Sequence, residues 1–508
     1  MMTQNVNNLT QNQQLTSTPI KEFYKNKNIF LTGATGFIGQ SLVEKILRCC
    51  EINKLFILIR DKKGKSWQQR IDDICRDPLF DTIKKSNPSF NKKIFCVSGD
   101  ISKENLGISP EEYQILCQEV NIVLHVAATV KFNEKLATAL NINVRGTQNV
   151  IALCHKISNL CAFVHVSTAF SNCNRTEIRE KVYEPKMDMP NIMNYVNDEV
   201  LNSAERAFLD DFRNSYVFSK NIAEAVANKT AQNLPTVIFR PAIVMPSYSD
   251  PVTGWTNSMY GPIGVLYGAA KGGVRVFMMN GQSPCEFVPV DMCVSAILAC
   301  AWDIAMTKHQ RTEIPVYNFV PKKSNKITYK NYIDISLTAT DKIPLKNTAW
   351  YTTFTIASNY HLAKTLHFLY HIIPAFFVDF VMLVMRKKFR LMPIYEKIDL
   401  MMKHLPYFYF NEWIWHDNNV SELWSKLDTN DRKWLFFDMG QVNWYKYITE
   451  SLFGMRWFLA HEDESTIPVA LKKQKKLKVL HYTVVFTIQG LILYFVWLIM
   501  TKIYFREF

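Results

Sequence analysis

No cysteine follows Cys300, and the eleven in the chain (49, 50, 75, 96, 117, 154, 161, 173, 285, 293 and 300) are odd in number and irregular in spacing. That excludes a legible disulfide framework and a CxxC zinc pattern, and it fits a reducing compartment. No charged residue precedes Lys21, and the leader MMTQNVNNLTQNQQLTSTPI has no continuous apolar run. It reads as a floppy polar leader, neither signal peptide nor Arg-rich transit peptide, and the expected address of the fold that follows is the cytosol. There is no repeat at solenoid periods, no low-complexity tract beyond the leader and no nucleic-acid-binding motif. The eleven histidines form no metal constellation; His125 and His165 fall in strand patterns, where packing is the expected role.

What is present is 508 residues with 48% hydrophobic and 20% charged positions, a mean hydropathy of −0.07 and a net charge of +14. Such a chain is neither disordered nor a many-span transporter, and its length calls for two folded units with an appendage. The basic balance invites an anionic membrane, an anionic small molecule or nucleic acid as partner. The runs NIFL (28–31), KLFILI (54–59), KIFCVSG (93–99), NIVLHVA (121–127), AFVHVST (162–168) and PTVIFRPA (235–242) read as strands. Their apolar residues are continuous rather than alternating, as in strands covered on both faces. QSLVEKILRCC (40–50) and NVRGTQNVIALCHK (143–156) are intervening helices. Strand and helix in repeated succession predict a doubly wound parallel sheet of the Rossmann type.

The character changes after about residue 345. Seven of the eleven tryptophans lie beyond position 400, and residues 396–460 combine helical periodicity with aromatics, predicting a small α-helical second domain. LKKQKKLK (471–478) then precedes VLHYTVVFTIQGLILYFVWLIM (479–500), which holds no Asp, Glu, Lys or Arg. These 22 residues suffice to cross a hydrocarbon core of ~30 Å, with the lysine-flanked side cytosolic. The stretch 365–385 is also apolar, but it contains His371, Pro374 and Asp379 and ends at RKKFR (386–390). A buried acid in lipid is costly, and a span there would place 391–470 on the far side. A broken helix on the membrane face or within the second domain is expected instead. The expected division is a leader (1–24), a doubly wound α/β domain (25–345), a helical domain (346–460), a basic stem (461–478) and an anchor (479–503).

The strand NIFL runs into TGATGFIG (32–39), so Gly33, Gly36 and Gly39 form G-x-x-G-x-x-G at the opening of a βαβ unit. In that context the glycines permit a tight turn, close approach of backbone N–H groups to a pyrophosphate, and tight helix–strand packing. The helix N-terminus supplies unpaired donors. At the end of the second strand Arg60 stands ahead of Asp61, Lys62 and Lys63, an arrangement that favours a 2′-phosphate and hence NADP over NAD.

SYVFSKNIAEAVANK (215–229) puts Tyr216 and Lys220 on one face of a helix. A nearby ammonium is expected to lower the phenol pKa and make it a usable proton donor. HVSTAF (165–170) ends a strand with two hydroxyls, Ser167 and Thr168, either able to hydrogen-bond a carbonyl oxygen. Cys173 reads as an ordinary loop cysteine.

TGATGFIG, GDIS (99–102), HVAATVKF (125–132), NVRGT (143–147), HVSTAF, Y-x-x-x-K and RPAIV (240–244) together resemble an extended short-chain dehydrogenase/reductase. VSTAFSNCNR (166–175), PVTGWTNSMYGPIGVLYGAAKGGVRV (251–276) and FVPVDMCVSA (287–296) narrow the resemblance to the fatty acyl-CoA reductases, with their male-sterility-type helical C-terminal domain. The resemblance implies reduction of a long-chain acyl-CoA to the primary alcohol with two NADPH through an aldehyde, releasing CoA. It implies that Gly33, Thr35, Gly36, Phe37, Ile38 and Gly39 cradle the cofactor, that Arg60 reads the 2′-phosphate and that Asp100 and Ile101 flank the adenine. Ala127 and Ala128 then pass behind the pyrophosphate and ribose, and Asn143 matches the asparagine of the family's N-V-x-G-T helix. Tyr216 becomes the proton donor, Lys220 also a holder of the nicotinamide ribose, and Thr168, with Ser167 second, the catalytic hydroxyl. Two features depart from related extended reductases: Tyr216 lies 48 residues beyond Thr168, and Val217 stands where sugar-modifying relatives often carry Gly.

A thiolate is a good leaving group, so no covalent nucleophile is required. The aromatic-rich residues 355–460 are a candidate wall for the acyl tail, and Gly272, Gly273 and Arg275 candidates for the CoA phosphates. The expected location is an intracellular membrane with the catalytic domain cytosolic. The endoplasmic reticulum is favoured over the peroxisome, whose S-K-L address the final REF does not match. The alternative weighed against this is a membrane-bound steroid- or sugar-nucleotide-type dehydrogenase or epimerase on the same fold.

Overall fold

The computed structural model describes residues 17–60, 64 and 66–504. Residues 1–16 of the leader, Asp61, Lys62 and Lys63 behind Arg60, and the terminal REF lie outside them. The rest of the expected floppy leader is instead a helix, Pro19–Tyr24, capped by Thr18 and held by the buried Ile20 and Tyr24. Seven strands form one parallel sheet: β1 (Asn28–Thr32), β2 (Lys54–Ile59), β3 (Ile94–Ser98), β4 (Ile122–His125), β5 (Ala162–Val166), β6 (Thr236–Pro241) and β7 (Val316–Phe319). Their order is 3-2-1-4-5-6-7, with the reversal between β1 and β4. That switch point is where doubly wound sheets open a crevice beyond their carboxyl ends. Six strands coincide with the apolar runs of the sequence; β7, the short VYNF, adds a seventh at the edge.

Apart from the edge strand β3, the sheet residues are buried on both faces because helices cover both. α1 (Phe37–Cys49) follows the glycine loop, and α2 (Trp67–Arg76) follows β2 behind a Ser66/Gln69 capping box. α3 (Gly146–Lys156) and α4 (Ser215–Thr230) press Val150, Ile151, Phe218 and Ile222 onto Phe30, Phe56, Val123 and Phe163. The alternate set Leu31, Ile57, Leu124 and Val164 is equally buried, on the opposite face by the period of two. α5 (Val290–Thr307) packs on β5, β6 and α1. It is apolar enough to cross a membrane, yet most of it is buried within the protein, so its hydropathy records a core position.

Two compact units share the chain. The first combines the residues up to Val244 with Val290–Val320 and Ile414–Asp438, and the second holds Met245–Pro289, Pro321–Trp413 and the residues from Met439 onward. In the first, Ile414–Trp415 pairs in parallel with Glu177–Ile178. In the second, α6 (Tyr329–Lys342) packs against α9 (Trp444–Gly454), and Trp255 is fully buried. A helix from Tyr360 runs through a π turn (Phe368–Ile372) into α7 (Ile373–Val384), and α8 (Met392–His404) returns after a turn. A broken helix is expected over 365–385, but the helix continues through the π turn and Pro374, and Tyr360–Val384 as a whole is long and apolar enough to cross a membrane. α10 (Ile467–Tyr504) carries the apolar stretch 479–500, whose side chains are exposed along the helix. It is long and apolar enough to cross a membrane.

Candidate active site

The glycine loop joins β1 to α1. Gly33 has φ +79°, a left-handed backbone, and a Cβ there would lie 2.7 Å from the backbone N of Ala127. A Cβ on Gly39 would collide with the carbonyl of Gly33, so any side chain would push α1 off the loop. Gly36 caps α1 and donates its N–H to Gly33 O at 2.9 Å. The result is a tight turn, a close passage of 126–127 and an open helix N-terminus, which is the cradle that a dinucleotide pyrophosphate requires.

The segment after β4 is fixed by a buried relay. The Thr147 hydroxyl donates to Asn143 O (2.7 Å), so it accepts from His125 Nε2 at 3.2 Å; His125 Nδ1 then accepts from Thr32 Oγ1 at 2.8 Å. Ala127 N donates to the same Thr32 oxygen. Burial, with Lys220 nearby, drives the imidazole down to about 3, so His125 is a neutral strut. The neighbouring His165 ring is 5.4 Å away and equally buried. Asn143 exchanges hydrogen bonds with the Thr129 backbone (2.9 and 3.1 Å) and donates to Ser219 Oγ (2.9 Å). It therefore ties the Ala127–Ala128 strand end to helix α4.

At the far end of β2, Arg60 Nη1 pairs with Asp100 Oδ2 at 3.3 Å. Burial alone would raise Asp100, but hydrogen bonds from Ser102 and the Arg60 guanidinium outweigh it and hold the carboxyl below its usual range. Arg70 on α2, which the sequence reading missed, donates to Arg60 O (2.5 Å) and Thr35 Oγ1 (3.0 Å). It brings a second guanidinium to this corner. The Ile101 side chain is buried beneath Gly146.

Ser167 donates its backbone N–H to Phe239 O (2.7 Å), and Thr168 caps the 3-10 turn Ala169–Asn172 by accepting from Phe170 N. That turn is fastened to α4 by Ser171 Oγ to Glu224 (2.8 Å) and Asn221 Nδ2 to Asn172 Oδ1 (2.9 Å). Glu224 forms a two-point buried ion pair with Arg240 (2.9 and 2.6 Å). Tyr216, Lys220 and Glu224 thus share one face of α4 at four-residue steps, and only the third was unforeseen. The Thr168 hydroxyl hydrogen-bonds the Tyr216 phenol, whose ring stacks on Phe132 at 5.9 Å. The Ser167 hydroxyl is buried without a hydrogen-bond partner, and the Cys173 side chain is buried.

One expectation needs correction. The ammonium of Lys220 does not depress Tyr216: burial pushes the phenol up to about 12, against the hydrogen bond from Thr168. Lys220 Nζ instead donates to Val166 O at 2.8 Å, and burial, partly offset by Glu224, brings it down to about 8. In the second unit Arg275 is similarly engaged, with its guanidinium 5.3 Å over the Trp350 ring and Gly272 packed on the Trp350 backbone.

Two family models, both described as male sterility protein, match residues 31–297, as its NAD-binding part, and 370–462. "Fatty acyl-CoA reductase wat" of Drosophila melanogaster is 43% identical over 468 residues, covering 92% of this chain and 90% of the relative. "Fatty acyl-CoA reductase 1" of Mus musculus is 32% identical over 467 residues, 91% and 90% respectively. Among solved structures, the terminal R domain of the myxalamid PKS-NRPS pathway shares the fold with a TM-score of 0.56 at 18% identity, over 86% of this chain and 92% of that one. A reductase domain of a non-ribosomal peptide synthetase from Mycobacterium tuberculosis gives 0.54 at 17%, with the same coverages. Both the glycine cradle and the Thr168–Tyr216–Lys220 arrangement fall inside the matched NAD-binding region, and with such identity along nine-tenths of its length the chain belongs to the fatty acyl-CoA reductase family.

Proposed function

We propose that this protein reduces a long-chain fatty acyl-CoA to the primary alcohol with two NADPH, through an aldehyde and with release of CoA. The observation that carries the reading is Tyr216 and Lys220 on one face of α4, with Thr168 at the end of β5 beside the phenol, next to a nucleotide cradle at the sheet's switch point. Gly33, Thr35, Gly36, Phe37, Ile38 and Gly39 would hold the pyrophosphate, Ala127, Ala128 and Asn143 the wall behind it, and Lys220 the nicotinamide ribose. Asp100 stays at the adenine edge. Arg60 and Arg70 together make the corner selective for a 2′-phosphate, since two guanidiniums bind a dianion far better than a hydroxyl.

The bound cofactor supplies the hydride for both steps. The chain's part is to bind and polarise one oxygen. Thr168 and Tyr216 donate to the thioester carbonyl, and these fixed donors stabilise the oxyanion as it forms. Its collapse expels the CoA thiolate and leaves an aldehyde in the same donor pair. In the second step the oxygen becomes an alkoxide, far more basic than a phenolate. A phenol held near 12 stays protonated until such an acceptor appears, so Tyr216 is an acid here and not a base. Ser167 is the reserve donor. The steroid or sugar-nucleotide alternative is not favoured, because the matches extend through 370–462 and along nine-tenths of the fatty acyl-CoA reductase relatives. We further read α10 as the anchor of an intracellular membrane, with the endoplasmic reticulum ahead of the peroxisome and the catalytic residues on the cytosolic side.

The test is to supply the membrane-bound protein with NADPH and acyl-CoAs of graded length. CoA release matched by alcohol, with two NADPH consumed per alcohol, is the expected result. Sugar-nucleotide turnover, or no lipid product at any length, would refute it.

A further inference from the structure

The segment between the second unit's π turn and α8 leaves an apolar surface bare. Phe376, Phe377, Phe380, Leu383, Val384 and Met385 are each more than half exposed, a continuous patch too large to be incidental. The one acid in it is withdrawn: Asp379 accepts from the backbone N–H of Leu391 (2.6 Å) and Met392 (3.0 Å), so it caps α8 and not a lipid-facing surface. Directly against the apolar end, the turn carries Arg386, Lys387, Lys388 and Arg390, all ahead of α8.

The whole helix Tyr360–Val384 is long and apolar enough to cross a membrane. Its Ala363, His367, His371 and Ala375 are buried along one side, however, so its first half is docked on protein and α7, about 18 Å long, is what remains for the lipid. The returning α8 carries Glu396, Lys397, Asp399 and Lys403, which a hydrocarbon core disfavours, and it packs Tyr395, Ile398 and Met402 inward. The hairpin therefore enters and leaves from one face. Its depth is set by the anchor: His371 at its base accepts from Arg275 N (2.9 Å), Arg275 lies over Trp350, and Trp350 Nε1 donates to His481 Nδ1 (3.0 Å) in the first turn of 479–500. The five lysines of 471–478 end just before that turn.

We propose that α7 and the turn Met385–Arg390 form a second, monotopic membrane contact. The apolar side chains lie in the headgroup–acyl boundary, and the four cations meet the anionic headgroups of the leaflet that α10 enters. An apolar face rimmed by Lys and Arg has this chemistry, and the one acid of α7, Asp379, is engaged by the backbone at the start of α8. The inference rests on the reading of 479–500 as an anchor.

The test uses the full chain in vesicles that contain a phosphatidylcholine with a photoactivatable diazirine on its acyl chain, with or without one-third phosphatidylserine. Adducts are mapped by mass spectrometry. Adducts are expected in both 376–385 and 479–500. Those in 376–385 should fall roughly tenfold without phosphatidylserine, or in a variant with Arg386, Lys387, Lys388 and Arg390 changed to Gln, while those in 479–500 stay constant. Adducts confined to 479–500 overturn the hairpin contact alone, and adducts in neither segment overturn both readings. Adducts in the hairpin alone support the contact and overturn the anchor. Lys388→Cys should react with an impermeant maleimide added on the side of the catalytic residues; reaction only after permeabilisation would mean that the hairpin spans. Cross-links between the 376–385 segments of two copies, in place of lipid adducts, would also overturn the proposal.

Discussion

At the residue scale the acid–base set divides its labour by burial. Tyr216→Phe removes the phenolic donor while keeping its ring against Phe132, so turnover of both acyl-CoA and aldehyde should fall roughly 10²- to 10⁴-fold with little change in stability. The check is steady-state kinetics on each substrate beside a thermal melt. Lys220 gives a pH signature. Its pKa falls from 10.5 to about 8 on folding, so the folded state disfavours the charged form, at a cost of roughly 3 kcal/mol below pH 8. Between pH 8 and 10.5 the unfolded chain keeps the proton and the folded one does not, and stability rises with pH. Lys220→Met should therefore be more stable than the parent at pH 7, by a margin that shrinks as the pH approaches 10, read from melts across that range. The pairing of Tyr216 with Lys220 was legible from their spacing. The direction of the phenol shift was not, because it depends on how deeply the helix is buried and on Lys220 turning to Val166 O, neither of which a four-residue interval records.

At the element scale, the site depends on where the 3-10 turn after Thr168 is held against α4. Glu224 and Arg240 make that joint, each fully buried. Glu224→Ala would leave a guanidinium uncompensated in the core and should cost about 3–5 kcal/mol, whereas Glu224→Leu with Arg240→Met should recover most of the melting temperature. Recovered stability without recovered kcat would show that the pair positions Thr168 as well as holding the fold. The nucleotide corner is also built between elements. Arg70→Ala, like Arg60→Ala, should raise KM for NADPH roughly 10- to 100-fold and leave KM for NADH nearly unchanged, a split that a general folding defect would not give. The strands were legible because sheets covered on both faces need continuous apolar runs. β7 was not, since VYNF is short and holds Asn318, whose amide donates to Ile178 O and His416 O and accepts from Arg240, all brought from elsewhere in the chain. Arg70 escaped for the same reason: its partner Thr35 is a neighbour through the fold, 35 residues away.

At the scale of the whole molecule, sequence order and spatial order separate. Residues 414–438, aromatic and close in sequence to the rest of the C-terminal half, belong to the unit that holds the sheet, while 245–289 belong to the other. Composition cannot show this, because both units bury apolar helices. Hydropathy alone is equally blind to the difference between α5, an apolar helix mostly buried inside the protein, and α10, an apolar helix with none of its window buried. What distinguishes them in sequence is charge: the apolar run 479–500 of α10 follows five lysines in eight residues, and α5 follows none. Lysines before a span keep that end in the cytosol by resisting translocation. With an N-glycosylation acceptor appended after Phe508, the full chain made in the presence of microsomes should resist carbonate extraction and be glycosylated at its tail. Changing Lys472, Lys473, Lys475, Lys476 and Lys478 to Gln should lower the glycosylated fraction while carbonate resistance persists, since the apolar run still inserts but with its orientation less firmly set. A tail that is never glycosylated, in a chain that is fully carbonate-extractable, would show that the apolar surface of 479–500 is covered by protein and not by lipid.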